Sequence, residues 1–405
     1  MEESFPIFIN HEKFWFEYRF LLLSQYGFNI NIIISYKLSY HKSIIKNNRG
    51  CTFVAYFKKN NMMELGIGMF GDLQIDSQTG KIQAPQQRLQ EIIEEIKLMD
   101  EVGVDFFGMG EHHRADYAVA SPEIILAAAA TVTKRIKLGS AVSVLSSSDP
   151  VKLYQDFATV DLLSDGRAEI MAGRGSFIES FPLFGYDLKD YSTLFEEKLD
   201  LLLKINNSQT VNWTGKHRAS LVNQSIYPRP VHEKLPIWIA VGGTTESVIR
   251  AGKLGLPVMF AIIGGSPINF KPLFEVYEQA YQDNGHDMNN YQVGVHMHSF
   301  FGENSKEIAD WYYPFYSSQM NRIGASRGWP PYQRTQYDYG RSNHGHLVVG
   351  DVNESVDKIL QVQETFGLTR FSAHTDVGSP DHSKMMKAIE LYGNQIIPKV
   401  KDALK

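Results

Sequence analysis

From residue 64 to the C-terminus, short apolar runs alternate with stretches in which apolar residues recur every three or four positions, a pattern that predicts a parallel sheet with crossover helices. The strand candidates are residues 65–70, 104–109, 136–145, 168–172, 236–241, 257–263, 292–301 and 368–374. Between the first two strands, a helical pattern over 85–102 starts at Pro85 and stops at Gly103. After the second, Ser121-Pro122-Glu123 introduces 124–133 with a cap and a proline at the first helical position. Eight such units in about 340 residues predict an α/β fold, a (β/α)8 TIM barrel with insertions, since the barrel itself normally takes roughly 250.

The surplus falls in two places. Residues 206–233 carry polar and turn residues and end in Tyr227-Pro228-Arg229-Pro230, too broken for a long helix. Residues 311–346 mix Tyr312, Tyr313, Phe315, Tyr316, Trp329, Tyr332, Tyr337 and Tyr339 with Gly, Pro and Arg, and are expected to form an irregular loop after the seventh strand, a candidate lid.

Residues 1–61 lack this alternation. They are crowded with Ile, Asn, Phe, Tyr and Lys, and are expected to be an N-terminal extension outside the fold, with the natural start at Met62 or Met63 and one barrel domain over 62–405. The apolar stretch 14–36 is interrupted by Glu17, Arg19, Gln25, Asn29 and Asn31, which makes it a poor membrane span. It also lacks the basic start and small-residue cleavage site of a secretory signal.

Composition narrows the class. With 43% hydrophobic and 21% charged residues in 405, the chain reads as soluble and globular. A formal charge of -5 offers no general basic field, so nucleic acid is not an expected partner. The single cysteine, Cys51, excludes an intrachain disulfide and a multi-cysteine metal site and fits a reducing, cytoplasmic compartment.

Candidate chemistry gathers at strand ends, where parallel sheets place their ligands. Glu111-His112-His113 follows the second strand and sets two imidazoles beside a carboxylate, candidates for proton transfer. Gly173-Arg174-Gly175-Ser176 follows the fourth, and Arg174 offers a planar fork suited to phosphate. Gly242-Gly243-Thr244 leaves the fifth strand and enters a helix, a natural anion site, and Gly264-Gly265 ends the sixth. Gly66, Gly68 and Gly71 satisfy the dinucleotide fingerprint literally, yet the first two lie inside a strand and no helix opens after the third. His296 and His298 share one face of the seventh strand, with His344, His346 and His374 further on, a set that would also suit a metal-dependent TIM-barrel hydrolase. Against that rival, no His-x-His ends the first strand and the glycine turns would have no task.

The blocks Gly110-Glu111-His112-His113, Ser121-Pro122, Ile136-Lys137-Leu138-Gly139-Ser140-Ala141-Val142, Asp149-Pro150-Val151, Asp161-Leu162-Leu163-Ser164-Asp165-Gly166-Arg167 and Gly173-Arg174-Gly175 resemble, in order and spacing, the α subunit of the bacterial luciferase-like, flavin-dependent monooxygenase family. The likeness runs from Met63 to the C-terminus. It implies a barrel that binds reduced FMN, whose C4a-hydroperoxide, formed with O₂, oxygenates a small organic substrate. It also implies roles for particular residues: His112 in proton transfer, Glu111 against the flavin, Ala141-Val142 as a non-prolyl cis peptide under the isoalloxazine, and Ser176 and Phe177 lining it. Arg174 would grip the phosphate, with Gly243-Thr244 in a second phosphate loop.

The chain departs from the pattern where the luciferase subunit has a second phosphate arginine and a reactive cysteine. Here Ser192 and Gly173 stand instead, so light emission is not implied. No second nucleotide fingerprint is visible, so electrons are expected to come as reduced FMN from a separate flavin reductase, or from NAD(P)H binding transiently. A deazaflavin in place of FMN, and a non-enzymatic flavin-binding protein, remain alternatives. A homodimer is expected.

Overall fold

The computed structural model describes residues 63–76 and 79–405, together with the backbone of Tyr40–Lys46 and Thr52–Lys58. Those two segments pair as antiparallel strands, which the sequence pattern did not anticipate. The remainder of residues 1–61, on which the reading of an extension rests, lies outside the described residues.

Eight parallel strands close on themselves: β1 (Glu64–Met69), β2 (Phe106–Met109), β3 (Lys137–Ser140), β4 (Ala168–Gly173), β5 (Ile237–Val241), β6 (Val258–Ala261), β7 (Val293–Phe301) and β8 (Arg370–His374). Each pairs with its neighbour in chain order, and β8 returns to β1 through pairs such as Phe371 with Leu65. All eight expected strands are present, and the fold is the expected TIM barrel. The strands read as apolar runs because both faces are covered. Leu65, Ile67 and Met69 of β1 join one buried layer with Ile92, Ile96 and Met99 of α1 (Pro85–Glu101).

The inward face is layered. At the bottom, Arg370 pairs with Glu64 and Glu169, and its guanidinium lies 4.1 Å from the Trp238 ring centre and 4.3 Å from that of Phe106. Phe106, Met171, Trp238 and Met259 form the layer's apolar part. Toward the strand ends the lining turns polar, with His296, His298 and His374 all buried. Gly68 makes room for this: a Cβ there would lie 2.6 Å from the His296 ring. Gly66 and Gly68 therefore serve barrel packing, and no helix opens until α1, which removes the dinucleotide reading.

The insertion after the fourth unit forms a hairpin of Thr210–Trp213 with Leu221–Ser225. The segment 311–346 corrects the sequence reading. In place of an irregular loop, the chain forms two helices, here α2 (Ser305–Arg327) and α3 (Arg334–Arg341). Asn304 caps the start by accepting from the Glu307 N–H at 3.0 Å, and Gly328 ends it in a left-handed conformation at φ 70°. Ile308, Tyr312, Tyr316 and Gln319 make its buried stripe. Pro314 is tolerated because it stands on the exposed side, where the carbonyl it deprives of a partner can meet water.

Arg370 is the charge on which the bottom layer depends. Arg370→Met leaves the buried Glu169 uncompensated and Glu64 with Lys137 as its remaining cation, so unfolding free energy should drop by about 3 kcal/mol, read from the urea midpoint. Adding Glu64→Gln and Glu169→Gln should recover most of it; a single-variant loss under about 1 kcal/mol would contradict the charge account.

Candidate active site

The deep half of the mouth is an aromatic box around His112. Its ring stacks on Tyr117 at 4.2 Å between centroids, leans on Phe70 at 4.6 Å, and meets the edge of Phe177 at 5.3 Å. The backbone places it: the His112 N–H donates to Val119 O at 3.0 Å, and Gly110 N–H to Met69 O at 2.8 Å, so the loop after β2 folds over the end of β1. The side chain is 7% exposed, and Nδ1 is buried without a protein partner. Such an atom costs free energy until a ligand or solvent satisfies it.

Glu111 is held by one partner on each carboxylate oxygen. Its Oε1 lies 2.8 Å from His113 Nε2, and its Oε2 accepts from the Val144 N–H at 2.7 Å. It braces the continuation of β3, whose Ala141–Val142 peptide bond is cis. Thus His113 faces Glu111 and the edge of Phe184, and His112 alone of the pair enters the aromatic box.

The rim on the β4–β6 side is open and polar. Arg174 Nη2 donates to Thr244 Oγ1 at 3.0 Å, joining the turn after β4 to the turn after β5, and its guanidinium lies 5.2 Å from the Tyr191 ring. Thr244 in turn donates to Ser247 Oγ at 2.8 Å. At Gly242, Gly243, Gly264 and Gly265 an added Cβ would meet nothing within 4 Å, and Gly243 has φ 132°. Among the described residues no carboxylate pairs with Arg174. Ser176 is exposed and its carbonyl accepts from Arg327 at 3.4 Å, so the C-terminal end of α2 reaches over the loop after β4. Arg114 and Arg327 both flank the Phe177 ring, at 4.9 and 5.5 Å.

The histidines separate into groups. His296, His298 and His374 lie together inside the barrel, with rings 4.9 and 5.0 Å from His374. His346 sits beside Gly265 O at 3.2 Å, and His344 is exposed. Among the described residues no three His, Cys, Asp or Glu side chains are arranged to hold a metal ion. No helix among them is long and apolar enough to cross a membrane. Sequence reasoning missed Phe70, Tyr117 and Asp376; position directly after a barrel strand would have flagged Phe70 and Asp376.

Burial, and then the neighbouring His374, push the His112 pKa down to about 3. Burial likewise moves His296 and His298 well below their ordinary value and His346 to about 4. The unfolded chain therefore binds more protons than the folded one below about pH 6.5, so stability is full above that pH and is lost as pH falls toward the folded values. His382, raised chiefly by its hydrogen bond with Glu95, works in the opposite sense as a single group. Going from pH 7 to 5.5 should cost about 1 kcal/mol for each of the four. Urea midpoints at the two pH values check this, and an unchanged midpoint would contradict neutral burial.

The profile of the luciferase-like monooxygenase family matches residues 63–370. The 4-hydroxyprotoasukamycin monooxygenase of Streptomyces nodosus subsp. asukaensis is 24% identical over 323 residues, covering 76% of this chain and 85% of its own. Among solved structures, the oxygenating constituent of 3,6-diketocamphane monooxygenase from Pseudomonas putida, in complex with FMN, has a TM-score of 0.66 at 20% identity and covers 84% of this chain and 99% of that one. The coenzyme F420-dependent tetrahydromethanopterin reductase of Methanopyrus kandleri has a TM-score of 0.64 at 17% identity, with the same coverage. These structures share the barrel, and the family match spans seven of its strands and the start of the eighth: the chain belongs to the luciferase-like monooxygenases, oxidoreductases that incorporate molecular oxygen.

Proposed function

We propose that the chain is an FMN-dependent monooxygenase acting on a small organic substrate, with reduced FMN delivered by a separate flavin reductase. The observation that carries this reading is the Arg174 to Thr244 bond at 3.0 Å across two glycine-rich turns. A guanidinium that pairs with no carboxylate among the described residues, a hydroxyl and open backbone at Gly242, Gly243, Gly264 and Gly265 make a cradle of the chemistry that holds a phosphate monoester. Bound there, reduced FMN would supply the activation of O₂ and the oxygen transfer.

The protein's own share is positioning, proton handling and exclusion of water. Arg174 with Thr244 would hold the phosphate, and Ser176, Ala141 and Val142 would border the ring system. Phe70, Tyr117 and Phe177 keep water from the His112 ring. His112, neutral and with Nδ1 unpartnered, would exchange a proton with a ligand there, a provision that a mere flavin-binding protein has no use for. Glu111 positions His113 and the β3 continuation. A deazaflavin coenzyme also carries a phosphate, and binding decides between the two.

Fluorescence titration tests the phosphate assignment. Arg174→Ala should weaken FMN binding by about 2 kcal/mol, roughly 30-fold, and leave riboflavin binding unchanged. Equal losses would sink the assignment, and tighter binding of F420 than FMN would move the reading to a deazaflavin. In turnover of reduced FMN with O₂, His112→Ala should lose roughly 10²-fold at unchanged FMN affinity and melting temperature, and His113→Ala much less. Equivalent losses in the two variants would refute a specific role for His112.

A further inference from the structure

A second imidazole is built into the mouth at the end of β8. His374 Nε2 lies 3.1 Å from Asp376 Oδ1, and both side chains are buried. The same carboxylate accepts the Phe70 N–H at 3.0 Å and the Gly71 N–H at 2.8 Å, and lies 3.4 Å from Arg88 Nη2. Against the cost of burial, the hydrogen bond from His374 and the charge of Arg88 keep Asp376 ionised below the usual carboxylate range, while burial and Asp376 push the neighbouring Asp72 upward.

An ionised carboxylate only accepts, so Nε2 carries a hydrogen, and in the neutral ring Nδ1 keeps the free lone pair. That Nδ1 is buried and has no protein partner. The Phe70 ring lies 4.1 Å from His374 and 4.6 Å from His112, so the two imidazoles share one aromatic neighbour. Around it, His296 bonds Ser372 at 3.0 Å through Nδ1 and leaves its Nε2 bare, His298 bonds the Tyr316 hydroxyl at 3.0 Å, and the Tyr312 hydroxyl donates to Val377 O at 3.3 Å. What sets His374 apart from His296 is the partner of its other nitrogen, a carboxylate in place of a hydroxyl, which fixes that nitrogen as the donor and can stabilise a positive ring.

We propose that His374, with Asp376 as its positioning residue, is a second acid–base group of the site, exchanging a proton at Nδ1 with the bound organic substrate. The inference rests on the monooxygenase reading given above. On gaining a proton at Nδ1 the ring becomes an imidazolium, its Nε2–H stays directed at Asp376, and the carboxylate stabilises the new charge, as in a carboxylate–histidine pair of hydrolases. On return the proton leaves Nδ1 and the ring is neutral again, with no electron transferred.

Two measurements on the full chain test it. Spectra of ¹⁵N-histidine-labelled protein, with His374→Gln to identify the signal, should show His374 as the Nε2–H tautomer without any flavin present. Asp376→Asn, whose amide can offer a donor to Nε2, should shift it toward Nδ1–H. In consumption of reduced FMN under O₂, His374→Gln should lose roughly 10²-fold at unchanged FMN affinity and melting temperature. Asp376→Asn should lower the same turnover at unchanged FMN affinity, because the imidazolium loses its counter-charge. An Nδ1–H ring in the unmodified protein overturns the proposal whether or not FMN binds. Turnover of His374→Gln within about threefold of the parent overturns it too, since a general acid–base group contributes far more. Failure of FMN to bind, with the Nε2–H tautomer in place, overturns the flavin reading and with it the role assigned here.

Discussion

The carboxylate of Asp376 ties the closing seam of the barrel to its mouth. It sits just past β8, yet it receives the N–H groups of Phe70 and Gly71, just past β1, and the guanidinium of Arg88 from α1. Strand closure and site geometry are thereby one interaction. Phe70 is fixed by those bonds, and its ring is the surface on which His112 and His374 lean. Burying a charge at such a place is tolerable only because every one of these donors is present. Arg88 also pairs with Glu95 at 2.9 Å, and Glu95 with His382 at 3.0 Å, so the charge is balanced in a chain running outward through α1.

The mouth has a division of labour. Its deep half is aromatic, with the His112 imidazole held neutral; its rim is open, and among the described residues no carboxylate pairs with Arg174. Such a site separates the anchoring of a charged tail from chemistry in a dry interior, where electrostatic effects are stronger. The two solved structures compared share the barrel while their names specify different cofactors, FMN and F420. What distinguishes this chain is therefore sought in the lining residues and not in the barrel.

Much of this was legible in the sequence. The eight strands announced themselves as short apolar runs, the shared face of His296 and His298 followed from the period of two, and the glycine turns flagged the rim. The helix α2 was missed because Pro314 and a cluster of aromatics look like a loop. Its signals were nonetheless present, in the Asn304 cap, the spacing of Ile308, Tyr312 and Tyr316, and Gly328 at the end. The contacts of Asp376 were not legible: apart from His374, its partners lie about three hundred residues away along the chain, and only barrel closure brings them together. The role of Glu111 was likewise hidden, since its second partner is a backbone N–H of the β3 continuation.

The central claim is that the open rim holds a phosphate and the aromatic box borders the reacting ring. A crystal structure of the protein soaked with FMN tests it most directly. The account predicts the phosphate within hydrogen-bonding distance of Arg174 and Thr244, with the ring system between the Ala141–Val142 peptide and the His112 side of the mouth. A phosphate bound away from Arg174, or a ring system outside the barrel mouth, would contradict it.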